Sequence, residues 1–401
     1  MAARFETLLD PELIRDPHPV FAALRKECPV VRDETVGTWV LTRHADVKAA
    51  MADPRLSRDR RLDPNHVPRD PGTWAGRHDE QNMWLADPEH HRRWRKQLSA
   101  GFTPRAVRRM EAQVREVIRQ FTTPLVGRRG TVDLLAEFTN PIPNTVISRI
   151  AGIPPYPGEE ERFRQLAQDV IRQFFPMADA ENKRRGEAAM NELAEWIDKL
   201  AEDRRQEPRE DLLSDLITGN LGADAMSNEQ IIMQIVVLVA AGSETTTLGG
   251  THAIRLLLEH PDQLALLRSD PSRIPNAVRE VLRFDFGGAG SMPVYATEDL
   301  EIGGVTIRRG DMVMSSVSSA NRDESVFDAP NRFDITRDTR EILSFGTGPH
   351  YCLGANLAMQ EMNFMLEGAL EFLPEGARIG EPEWESIGIM RRPIDLPVDF
   401  G

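Results

Sequence analysis

Cysteine is scarce in this chain: Cys28 and Cys352 are the only two in 401 residues. Cys352 nevertheless stands in the segment FGTGPHYCLG (345–354), among Phe345, Gly346, Gly348, His350 and Gly354. The apolar periodicity of "ANLAMQEMNFMLEGALEFL" (355–373) predicts a helix directly behind it. Unpaired backbone N–H groups and the helix dipole at such a start stabilise a thiolate, and a thiolate ligates metals. The glycines let the backbone turn tightly and approach a flat or bulky group, because no Cβ intervenes. His350 can bond an anionic group at the same place. A cysteine kept only for packing gives no reason for the glycines. A hydrolase using Cys352 and His350 is the competing chemistry, and its nucleophile would react with thiol reagents where a metal-bound thiolate would be protected.

Three further groupings carry potential chemistry. "AAGSETTT" (240–247) places Gly242, Glu244 and three threonines inside an apolar run, where a carboxylate without a partner is costly. Threonine hydroxyls bond back to carbonyls one turn earlier and bend helices, so this segment is expected to interrupt the helix, with room for a small ligand or water at Gly242. "DPEHHRRWRKQLSAGFTP" (87–104) sets His91 and Arg95 one helical turn apart on one face. "REVLR" (279–283) sets Glu280 and Arg283 at a spacing that allows them to pair.

The elements that must position these groups are mainly helical. Apolar residues recur at helical spacing over 88–271, broken at "VGRRGTVD", "GIPPYPGEEE" and "RRQEPRED". Residues 10–52 read as short helices with a strand pair, and 293–317 as strands with "GG" at a hairpin turn. The polar, Pro- and Gly-rich stretch 57–82 reads as one long loop, either of the kind that covers a site or plainly disordered. No repeat or linker composition divides the chain, so 1–401 is expected to be one mainly α domain with a small β portion.

Composition narrows the functions. The net charge of -14 opposes nucleic acid, and two distant cysteines cannot form a disulfide scaffold, which fits the cytoplasm. The N-terminal residues lack the basic start and apolar run of an export signal. "IIMQIVVLVAAG" (231–242) is about half of the roughly 20 residues a membrane helix needs, so it reads as a buried helix, with no membrane partner. Neither G-x-x-x-x-G-K-[ST] nor H-E-x-x-H occurs, and the glycines near 346 do not complete G-x-G-x-x-G.

FGTGPHYCLG closely resembles the haem-binding signature of cytochromes P450, and the other groupings resemble motifs that follow the family's order along nearly the whole chain. The resemblance implies haem b (iron protoporphyrin IX) with Cys352 as the iron ligand and Phe345, Gly346, His350 and Gly354 around it. It implies that 240–247 crosses the haem at Ala241, with Glu244 and Thr245 as the acid and alcohol that deliver protons. His91 and Arg95 would face the haem propionates. Glu280 and Arg283 would tie their helix to "NRDESVFDAPNRFDITR" (321–337), which resembles the family pattern through Phe327, Pro330, Phe333 and Asp334. Val294 stands where many members carry a propionate-binding arginine.

The expected function is a monooxygenase that inserts one oxygen atom from O2 into an apolar small molecule by hydroxylation or epoxidation. Electrons would come from a separate 2Fe-2S or similar ferredoxin with its reductase, docking on a patch that includes Arg92, Arg95 and Arg340. The alternative is a haem-thiolate protein that binds a ligand without turnover. Family pockets place the substrate near Trp74, Met83, Trp84, Val237, Ala240, Ala241, the segment Phe286 to Met292 with Gly288, Ile389 and Met390. The glycine run 287–291 suggests room for a terpenoid, steroid or polyketide-like compound.

Overall fold

The β-branched and aromatic residues of 30–41 and 293–315 form the main sheet. A computed structural model describes residues 5–86, 88–155, 157–172, 179–219, 225–285, 291–387 and 390–401, with backbone only at 79, 80, 387 and 390. Its contacts divide the chain into two compact units. The first comprises Met1–His66, Thr251–Cys352 and Arg378–Leu396. In it Val30–Asp33 runs antiparallel to Thr38–Leu41, which lies parallel to Met312–Ser315 with Val40 opposite Met314. Val294–Ala296 and then Leu56–Ser57 complete the sheet, both antiparallel. Gly303 and Gly304, at φ 57° and 80°, turn the expected hairpin between Leu300–Ile302 and Val305–Ile307. Val30, Leu41, Val47, Leu56, Ala296, Ile307, Val313 and Leu343 pack into the core beneath, so the sheet holds the chain two residues short of Phe345.

The second unit comprises Val67–Gly250, Leu353–Ala377 and Pro397–Gly401, and is mostly helical. Glu160–Arg172 and Ala180–Gln206 pack through apolar faces, with Phe163 edge-on to Trp196 at 5.8 Å. Ala355–Phe372 lies on Glu111–Thr122, and Gly368 admits the close approach of Thr122 and Ile118.

Two expectations are corrected here. The segment 57–82 is not one loop, because Trp74–Gln81 is helical. Thr73 caps it by accepting from the Gly76 N–H at 3.0 Å, and a Cβ on Gly76 would lie 1.8 Å from the Asp70 carbonyl oxygen. Eight residues with few apolar members carry no periodicity to read. Nor does AAGSETTT interrupt its helix, which runs unbroken over Asn228–Glu259. Two of the hydroxyls are satisfied inside the helix: Ser243 Oγ donates to Val239 O at 2.8 Å and Thr245 Oγ1 to Ala241 O at 2.7 Å. At 32 residues the helix is long and apolar enough to cross a membrane, so the length argument fails, while 78% burial of its most apolar window identifies it as core.

Two histidines of the first unit are held neutral. Burial, with Arg322 next in weight, lowers His18 to about 4. Burial likewise lowers His252 to about 4, against the opposing pull of Asp285. Between pH 6.5 and 4 the unfolded chain therefore binds protons that the folded chain refuses, so stability falls as pH falls. Urea unfolding should show a loss of roughly 2 kcal/mol per histidine between pH 7 and 5, and His252→Gln should remove its share of that slope.

Candidate active site

The cysteine loop is built from turns. Gly346 N–H bonds Leu343 O at 2.8 Å, Cys352 N–H bonds Phe345 O at 2.8 Å and Tyr351 N–H bonds Gly348 O at 3.1 Å. Gly346 and Gly348 both lie at φ 69°, a conformation open to glycine. Gly348 is also pressed on the backbone at Met51 and Ala52, which a Cβ would approach to 3.0 Å. His350 ends the short turn Gly348–His350. Cys352 is left exposed, two residues before the Gly354 cap of Ala355–Phe372.

Beneath the loop lies a polar network. Glu280 and Arg283, with side chains 0% exposed, pair at 2.7 Å and 2.8 Å. Arg283 donates to the carbonyls of Asn321, Pro330 and Arg332. Glu280 also accepts from Arg337 at 3.2 Å and from the Asp334 N–H at 3.0 Å. Phe327 lies against the Arg283 guanidinium, 5.4 Å from ring centroid to carbon, and Phe333 is buried nearby in the chain. Asn321 connects this network to the cysteine loop: it accepts from Leu343 N–H at 2.8 Å and donates to Ser344 Oγ at 2.9 Å. Ser344 Oγ in turn donates to Leu282 O at 2.7 Å. Sequence reasoning missed Asn321 and Arg337. The arginine closing "NRFDITR" was a readable signal, whereas a single asparagine was not.

In the second unit His91 is buried and Arg95 half-buried on Pro88–Ser99. Glu244 is buried on the long helix. From 231 to 250 only Leu238, Ala241, Gly242 and Thr245 are less than buried, and their spacing puts them on one face. Ala240, 0% exposed, points about 140° away from this stripe, and Leu238 occupies the place expected for it. Val237 is buried at the stripe's flank. The room expected at Gly242 is filled, because a Cβ there would meet Ile147 at 3.3 Å. Met83 is buried, and Trp74 and Trp84 are half-buried. Phe286, Gly288 and Ile389 lie outside the described residues, as does the side chain of Met390. Arg92 is exposed, whereas Arg340 is already paired with Asp338. Val294 is half-buried, opposite Val313 in the sheet.

Taken unit by unit, these features would suit an iron-bearing macrocycle held by a thiolate. In the first unit an exposed sulfur is carried on a loop held by its own backbone. In the second, a Cβ on Gly354 would meet nothing within 4 Å, and a buried helix opens along one stripe bearing an alcohol.

Residues 13–373 match the family model for cytochrome P450. The chain is 35% identical over 395 residues to Nocardicin C N-oxygenase of Nocardia uniformis subsp. tsuyamanensis, covering 96% of each. It is 38% identical over 352 residues to Vitamin D(3) 25-hydroxylase of Pseudonocardia autotrophica, covering 86% of this chain and 84% of that one. The crystal structure of epothilone D-bound cytochrome P450epoK superposes with a TM-score of 0.91 at 27% identity, covering 99% of each chain. The fold is that of a haem-dependent oxygenase, and the chain belongs to the cytochrome P450 family. It is a P450 monooxygenase and binds haem. Sequence and structure agree on the mainly helical P450 fold.

Asn321→Ala should destabilise the protein by about 1–3 kcal/mol, since Leu343 N–H and Ser344 lose buried partners. Arg283→Lys should cost roughly 3–5 kcal/mol, because one ammonium cannot serve Glu280 and three carbonyls. Thermal unfolding with haem content after gel filtration checks both, and native values for Arg283→Lys would refute the account of the network.

Proposed function

We propose that this P450 inserts one oxygen atom from O2 into a moderately large, apolar small molecule, with electrons from a ferredoxin and its reductase in the cytoplasm. The open stripe on the long helix carries the substrate reading. Its ligand-facing residues are Leu238 and Ala241, with buried Val237 alongside, so burial of hydrocarbon is the interaction on offer. A relative named for hydroxylating vitamin D(3) supports that class. A relative named as an N-oxygenase supports a second reading, oxidation at nitrogen.

In this reading the Cys352 thiolate ligates the haem iron, and Phe345, Gly346, Gly354 and Ala241 border the macrocycle. His91, Arg95 and His350 would meet its carboxylates. The haem supplies the oxygen activation, and the chain supplies protons and orientation. Thr245 holds its hydroxyl hydrogen on Ala241 O, so its oxygen faces outward as an acceptor that fixes a proton donor in place. Glu244, one residue earlier and buried, is the acid that passes protons to that point.

Carbon monoxide added to the reduced holoprotein should give a Soret band strongly red-shifted from that of histidine-ligated haem, lost in Cys352→Ser. Thr245→Ala should uncouple electron consumption from product, whereas Thr245→Ser should preserve most coupling; unchanged coupling in Thr245→Ala ends its assigned role. Ferric protein titrated with vitamin D3, a macrolactone, a terpenoid, an alkylamine and small polar aromatics should shift to high spin with the large apolar ligands. A shift with the polar aromatics alone would overturn the substrate class, and tightest response to the amine would favour nitrogen oxidation.

A further inference from the structure

The polar side chain at the head of the open stripe is Gln234, only 1% exposed on the long helix. Its Nε2 donates to the Gln81 carbonyl at 2.7 Å, and its Oε1 accepts from the Met83 N–H at 2.8 Å. These two backbone groups flank Asn82, whose φ of -120° and ψ of 152° are extended. One carboxamide thus makes the two-point pairing that a neighbouring parallel strand would make around Asn82. The amide's orientation is unambiguous, since the reverse would set N–H against N–H and oxygen against oxygen.

Asn82 stiffens the same segment from within. Its side-chain oxygen accepts from Trp84 N–H at 2.7 Å and Leu85 N–H at 3.2 Å, and its amide donates to the His78 carbonyl. Met83 and Leu85 are buried as a result. The segment 81–85 therefore has an internally set shape and one side-chain anchor to the long helix. At about 100° per residue, positions 234, 238, 241 and 245 fall within about 60° of one another. The clasp thus sits one turn ahead of Leu238 on the face that opens at Ala241 and Thr245.

We infer that Gln234 is a positioning residue that fastens the segment carrying Met83 and Trp84 as the end wall of the substrate site. This rests on the reading that the stripe and this segment border the substrate. No other side chain of similar size serves both partners. Leucine offers neither donor nor acceptor, ionised glutamate offers only acceptors to a carbonyl, and asparagine is one methylene too short. With the clasp removed, Gln81 O and Met83 N–H would be left unpaired in a buried place, and the segment would detach to reach water.

The test uses full-length, haem-loaded protein and two azoles that ligate the iron, imidazole and the bulky triaryl clotrimazole. In Gln234→Leu, hydrogen exchange over residues 81–85 should quicken at least about tenfold, and the clotrimazole dissociation constant should rise about tenfold. Imidazole affinity should stay within about twofold, because a small ligand does not need the wall. Gln234→Met, close in volume and shape, provides the same comparison should the leucine variant fold poorly. Trp84→Ala keeps the clasp, so exchange at Met83 should be unchanged while clotrimazole weakens. Unchanged exchange in both Gln234 variants would overturn the clasp. Faster exchange with unchanged clotrimazole binding, while Trp84→Ala weakens it, would overturn the positioning role and leave the substrate reading intact. No effect of Trp84→Ala on clotrimazole would overturn the reading that this segment borders the ligand, and the inference with it.

Discussion

A buried charge on Arg283 is the constraint around which the first unit is arranged. A guanidinium with no exposure needs nearly every N–H satisfied, and one carboxylate cannot do this. Glu280 takes two donors and the carbonyls of Asn321, Pro330 and Arg332 take the rest. Those carbonyls lie on an irregular segment with little regular secondary structure to define it, so the arginine acts as its template. Ala329, at φ 41°, is the one described non-glycine residue with positive φ, and it adjoins Pro330 in that segment. Backbone strain of this kind persists only where the surroundings over-determine the conformation. Through Asn321 and Ser344 the same network reaches the residues just before the cysteine loop. Cys352, carried on that loop, thereby inherits the rigidity of a helix and a sheet core.

The second unit meets a different demand. Its long helix must be apolar to be buried, yet it carries a carboxylate and a hydroxyl at the point where proton handling is proposed. Ser243 and Thr245 meet the demand locally by bonding carbonyls four residues back, and helix continuity survives the five consecutive polar residues of 243–247. Gly249, one turn beyond Thr245 on the same face, and Gly250 beside it admit the sulfurs of Met362 and Met365 so closely that a Cβ would fall 2.3 Å and 2.6 Å from them. The open stripe therefore ends in tight packing one turn further along the same helix. Gln234 extends the pattern by spending a buried amide on the backbone of the preceding segment.

Motif chemistry was legible in the sequence because it depends on residue type at short spacing. Cys352 with its glycines, His91 with Arg95, Glu280 with Arg283, and Glu244 with Thr245 can all be found by counting. The strand pairs, the Gly303–Gly304 hairpin and the long helical tracts were also legible, since alternation, turn residues and apolar periodicity are local. The helix Trp74–Gln81 was not, because its cap and its glycine contact matter more than its apolar residues. The break expected at AAGSETTT was absent because hydroxyls can satisfy a helix as well as disrupt it.

By itself, then, the sequence determined the family and the class of chemistry, which follow from motifs of ten residues or fewer. Only the tertiary structure decided which helix face is open, that Ala240 turns away while Leu238 takes its place, and that Gly242 is packed against Ile147. It alone joined Arg337 to Glu280, Asn321 to the cysteine loop and Gln234 to Met83, partners separated by tens to more than a hundred residues. Such pairings have no local signature, because burial, and not spacing, makes a polar group require a partner.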